Sequence, residues 1–154
     1  MTQPPSFGVR LAGLAVRMPA GTPLEYVAQA TLHPLPLAPR RVAGLMQLRG
    51  QPLVVLDASA DPENRRPAAA AREAHEVLVI GAPPNVAAVI VDGAPHPVRA
   101  DAAALDVPIA RVDVPARCPF FDAIVSRRVL AEGAEGEPWY DIDPSRLVAA
   151  LLAD

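Results

Sequence analysis

The chain has 154 residues, 51% of them apolar, with a formal net charge of −3 and a sequence pI near 5.6. At about 100–200 residues per domain that is one folded domain with a real core, and neither a disordered chain nor one with a polybasic footprint for nucleic acid or anionic membrane. Aromatics at 4% argue against base-stacking platforms, and 19 prolines argue against long helices, because each removes a backbone donor and fixes φ.

From the N-terminus, "MTQPPSFG" has no positive stretch followed by a long apolar run, so no signal peptide is expected. In "FGVRLAGLAVRMP", Phe7, Val9 and Leu11 alternate with Gly8 and Arg10, and after Ala12-Gly13 the alternation resumes through Leu14, Val16 and Met18. That is a β-hairpin over 7–18 with one buried face. Thr22-Pro23-Leu24-Glu25 fits the opening of a helical turn, with Thr22 as cap and Pro23 at the first position. "HPLPLAPRR" is a Pro-punctuated connection, and Arg40 to Leu45 fits a second short helical turn. "GLMQLRGQPLVVLD" reads as two strands, 45–49 and 52–57, broken at Arg49-Gly50-Gln51, with Gly50 allowing the turn and Pro52 confined to an edge or a strand start.

The polar, Ala-rich stretch "SADPENRRPAAAAREAHE" reads as a loop with a short helix at 68–75. "EVLVIG" and "VAAVIVD" are apolar runs of strand length joined by the turn signal "APPN". "PHPVRA" is an edge strand at best, because Pro95 and Pro97 cannot donate to a ladder. "ADAAALDVP" fits one helical turn, Ala123 to Ala131 a strand, "GAEGEP" a turn and "WYDID" a short strand. The chain ends in a helix capped by Asp143 with Pro144 at its first position and Leu147, Val148, Leu151 and Leu152 as its apolar stripe. About ten short strands and a terminal helix make an all-β, barrel-like architecture.

Catalytic chemistry finds little footing. His33, His75 and His96 have no second ligand at a metal-binding spacing, and catalytic zinc needs about three protein ligands. Ser6, Ser59, Ser126 and Ser145 lie in no serine-nucleophile context, and neither a P-loop nor G-x-G-x-x-G occurs. Asp141 and Asp143 alternate in "YDID", but Asp143 is explained as a helix cap. Cys118, the single cysteine, cannot form an internal disulfide and fits a reducing cytoplasm; a small hydrolase using Cys118 is the competing class, and it requires a depressed thiol pKa. A nucleic-acid-binding barrel is a third class, disfavoured by the acidic pI. No apolar run approaches the ~20 residues that span a bilayer.

"PLAPRRVAGLMQLRGQPLVVLD" resembles the CheW-like domain of bacterial chemosensory adaptors. Pro39, Gly44, Leu48, Arg49, Gly50 and Asp57 match that family's pattern without gaps, and Val91, Asp92 and Gly93 match the end of its paired central strands. The tail "EGEPWYDIDPSRLVAALL" is similar to its last strand and helix, so the resemblance covers residues 6–152 as a single domain behind a short tail, 1–5. Gln47, Val54, Ala58-Ser59 and Ala88 depart from the pattern. The resemblance implies two five-stranded β-barrel subdomains sharing a hydrophobic core, with a C-terminal helix. It also implies a cytoplasmic, cofactor-free scaffold rather than an enzyme. The implied partners are the regulatory, itself CheW-like, domain of a CheA-type histidine kinase and the cytoplasmic hairpin tip of chemoreceptors, in flagellar chemotaxis or in a related system controlling pili or another output. Neither nucleic acid nor membrane insertion is implied. Carried over by position, Arg49 matches an arginine implicated in receptor binding, Gly44 a small residue on the same surface, and Glu25 an acidic position ahead of Pro39. The residues themselves also allow an intramolecular salt bridge for Arg49, a backbone requirement for Gly44 and an exposed turn carboxylate for Glu25.

Overall fold

Ten strands among the described residues divide between two sheets of five. The computed structural model describes residues 5–59, 74–82, 84–99, 125–129 and 139–153. In chain order the elements are β1 (Phe7–Leu11), β2 (Leu14–Arg17), β3 (Leu24–Thr31), β4 (Val42–Leu48), β5 (Gln51–Leu56), β6 (Ala74–Ala82), β7 (Asn85–Ile90), β8 (His96–Pro97), β9 (Val125–Val129), β10 (Trp139–Ile142) and α1 (Pro144–Ala153). One sheet runs β8-β1-β2-β10-β9, the other β3-β6-β7-β5-β4. The expected all-β architecture of two five-stranded halves with a terminal helix is therefore observed.

The hairpin at 7–18 forms as its alternation predicts. Leu11 pairs with Leu14 across Ala12-Gly13, whose φ values of 51° and 83° are those of a type I′ turn. Two expected helical turns are strands instead. Leu24 and Glu25 pair with Ile80 and Val79, and Val42 to Leu45 pair with the end of β5. In both places pairing with a strand distant in sequence overrides the local capping signal. The helix expected at 68–75 is also corrected at its end, since Ala74 and His75 open β6; its remainder, the turn at "ADAAALDVP", "GAEGEP" and Cys118 lie outside the described residues.

The second sheet curls until its outer strands meet. Just beyond β3, His33 donates to the Leu45 carbonyl at 2.8 Å and accepts from the Leu45 amide at 2.9 Å. Inside this barrel Leu32, Met46, Val55, Val77, Val79 and Ile90 form one apolar cluster. A larger cluster joins both sheets and the helix, through Leu11, Val16 and Met18 from one sheet, Leu78, Ile80 and Val89 from the other, and Leu147 and Leu151 from α1. Asp143 starts that helix as expected, its carboxylate accepting from the Ser145 amide at 2.9 Å. Val148 packs beside the core, while Leu152 is exposed and stands outside the stripe.

Polar side chains fasten the apolar layers. Arg17 at the end of β2 forks onto Asp141 of β10, with N–O distances of 2.6 and 2.9 Å, and its Nη1 donates to the Val98 carbonyl at 3.4 Å. Arg41, wholly buried, donates to the carbonyls of Asp57 at 3.1 Å and Ser59 at 2.6 Å. Glu76 accepts from Tyr26 Oη and, at 3.1 Å, from the Gly93 amide, which ties β3 to the turn leaving β7. Holding the phenol's proton against that carboxylate raises the Tyr26 pKa above its ordinary 10.0.

Candidate functional site

The β4–β5 connection is a two-residue turn, with Leu48 paired to Gln51. Arg49 and Gly50 have φ of 49° and 77°, so both occupy the left-handed region that a type I′ turn requires. Glycine adopts that conformation freely; for arginine it costs about 1–2 kcal/mol. Pro52 follows as the second residue of β5. The β5–β7 ladder covers Val55 and Leu56, so the missing Pro52 donor falls beyond it, at the strand start expected for a proline there.

From this corner Arg49 reaches back across the barrel mouth to Glu25 at the start of β3. The two form a bidentate pair at 2.8 and 3.0 Å. Their side chains are 74% and 37% exposed, and an exposed pair contributes only about 0–1 kcal/mol. The pair thus does no more than offset the turn strain of Arg49. Two of the three residues singled out in the sequence are therefore neighbours, through the intramolecular pairing open to Arg49.

Gly44 lies elsewhere on the barrel and is buried. A Cβ on it would stand 2.7 Å from the His33 carbonyl oxygen. Glycine at 44 lets β4 approach the segment after β3 closely enough to make the His33–Leu45 closure. Gly44→Ala is expected to destabilise the fold by about 1–3 kcal/mol through this overlap. It would appear as a lower urea midpoint at unchanged slope; an unchanged midpoint would contradict the overlap.

Sequence reasoning did not find the cavity beside the Glu25–Arg49 pair. It holds about 280 Å³ and opens where the starts of β5 and β7 extend beyond their ladder. Leu48, Leu53, Val79 and Val86 line it, continuing the barrel interior to the surface, and Leu24, which packs against the larger cluster, completes the lining. Its residues come from five strands, so no local spacing announces it. The site is a charged hairpin corner beside an apolar hollow. Among the described residues no group of three His, Cys, Asp or Glu side chains could hold a metal ion, and no helix is long and apolar enough to cross a membrane.

Comparison with known proteins gives the family of the fold. A family model described as "CheW-like domain" matches residues 7–130. Among solved structures, the scaffolding protein TtCheW from Thermoanaerobacter tengcongensis superposes with a TM-score of 0.55 at 17% identity, covering 92% of this chain and 90% of that one. No curated protein matches the chain. With the family model spanning most of its length, the chain belongs to the CheW-like domain family, whose scaffolding proteins are non-catalytic.

Proposed function

We propose that this protein is a coupling adaptor that holds chemoreceptors and a CheA-type histidine kinase in one cytoplasmic signalling assembly, acting as a single domain over residues 6–152. The supporting observation is Arg49. Its turn conformation costs about as much as its exposed ion pair returns, so stability does not account for an arginine at the tip of the hairpin. A partner carboxylate or carbonyl does, because a guanidinium fixed at a rigid corner offers its remaining donors with little entropy left to lose. Glu25 sets the direction of the guanidinium, and Gly44 lets the strand that leads to it close on the segment after β3. Such a scaffold transmits signal without a reaction. Its contacts with receptor and kinase must differ in free energy between the receptor's two states, and that difference biases the kinase.

The two surfaces are separable by titrating the purified chain with the receptor hairpin alone and with the kinase regulatory domain alone. Binding of each, and of both together, is expected. A chain that binds neither is not a coupling adaptor.

A further inference from the structure

Glu25, which holds Arg49, stands on a strand supported from one side. Among the described residues the ladder partner of β3 is β6 alone, and the barrel closure between His33 and Leu45 lies beyond the far end of the strand. An irregular register between Val27 and Ala30 separates the first residues of β3 from the rest. A segment with so few partners is where a sheet opens most easily. Glu25 can hold the guanidinium at one angle only if that segment is fixed.

Tyr26 is placed to fix it. Neighbouring residues of a strand face opposite ways. Val27 packs on the cluster inside the barrel, whereas Leu24 and Tyr26 pack on the larger cluster between the sheets. Glu25 therefore faces the barrel mouth and Tyr26 the seam between the sheets. In that seam the Tyr26 hydroxyl donates to Glu76 Oε1, and Glu76 Oε2 accepts from the Gly93 amide at 3.1 Å. The adjoining Asp92 amide donates to the Arg10 carbonyl of β1 at 2.9 Å. A hydrogen-bonded route thus runs from β3, through Glu76 and the turn at 92–93, to the other sheet. A carboxylate half-buried in an apolar seam costs free energy unless it is hydrogen-bonded. Packing alone favours apolar side chains at 26 and 76, so the pair calls for another reason. Apolar contact has no direction, whereas a hydrogen bond to a carboxylate is short and directional and fixes an angle.

We propose that Tyr26 is a positioning residue for the Arg49 corner: its bond to Glu76 ties the start of β3 to the turn that crosses between the sheets, and so fixes the angle at which Glu25 presents the guanidinium to a partner. The consequence for binding rests on the coupling reading; the tie itself does not.

The test is amide hydrogen exchange and receptor-hairpin binding, measured on the purified chain and on its Tyr26→Phe variant. Phenylalanine keeps the ring and removes only the hydroxyl. Exchange at the start of β3 should quicken about tenfold, as for one lost hydrogen bond to a charged group, while the β6–β7 ladder exchanges as in wild type. Glu76→Gln should exchange like wild type, because its amide accepts from Gly93 and donates to the phenol oxygen; Glu76→Ala should follow Tyr26→Phe. Affinity for the hairpin should fall about threefold to tenfold in Tyr26→Phe. The same substitution in an Arg49→Ala chain should cost no further affinity, because the group it positions is gone. Unchanged exchange in Tyr26→Phe overturns the proposal. So does quicker exchange with unchanged affinity, or an equal loss of affinity in the Arg49→Ala chain, either of which leaves Tyr26 a merely structural residue. A wild-type chain that binds no receptor hairpin fails the coupling reading, and the exchange result still decides whether the tie exists.

Discussion

Replacing Arg17 by methionine is expected to lower the melting temperature by about 6–12 °C. The guanidinium joins three parts of one sheet: its own strand β2, Asp141 on β10, and the Val98 carbonyl just after β8. The Arg17 and Asp141 side chains are 9% and 17% exposed, so water replaces the guanidinium's hydrogen bonds to the carboxylate only in part. Removing one member of such a pair costs about 3 kcal/mol, and for a chain of this size each kcal/mol moves the midpoint by about 2–4 °C. The cause can be separated from lost packing. Arg17→Met with Asp141→Leu should be less destabilised than Arg17→Met alone, because the carboxylate that faced the guanidinium is then removed with it. A double variant as unstable as the sum of the two singles would place the effect in packing rather than charge.

The second large effect falls on binding and spares the fold. Arg49→Ala should leave the melting temperature within a few degrees of wild type, since an exposed pair is worth at most about 1 kcal/mol and alanine inherits the same turn strain. Receptor affinity should fall about tenfold to a hundredfold, as for an arginine anchor at an interface. The charge swap, Glu25→Arg with Arg49→Glu, separates the two roles of the pair. It restores the internal ion pair while inverting the charge offered to a partner, so receptor binding should stay lost. Recovery of binding in the swap would make the pair a structural latch and remove Arg49 as the contact residue.

Much of the fold can be read in the residues. The first hairpin announces itself by strict alternation around Ala12-Gly13, and the C-terminal helix by Asp143, Pro144 and the spacing of Leu147 and Leu151. The start of β4 and all of β3 are hidden for a physical reason. Irregular register between Val27 and Ala30, and again between Val42 and Gly44, breaks the period-two signal. Thr22-Pro23 meanwhile imitates a helix start just before a strand whose partner lies some fifty residues away. Arg17 and Arg41 were illegible because charged side chains default to the surface; only the assembled sheets reveal carbonyls and a carboxylate waiting for them. At the site, Arg49 was legible as a residue and Glu25 as a position, but their contact spans the barrel mouth and needed the fold. The hollow and the Tyr26–Glu76 bond needed it too, since each joins residues of different strands.

The coupling role is tested most directly by three-component sedimentation. Receptor signalling fragments assembled on vesicles are spun down with the kinase, with and without this chain. The account predicts that the kinase pellets with the receptors when the chain is present, and that the Arg49→Ala chain carries down much less of it. Kinase that pellets equally well without the chain, or stays in the supernatant with it, would contradict the coupling role.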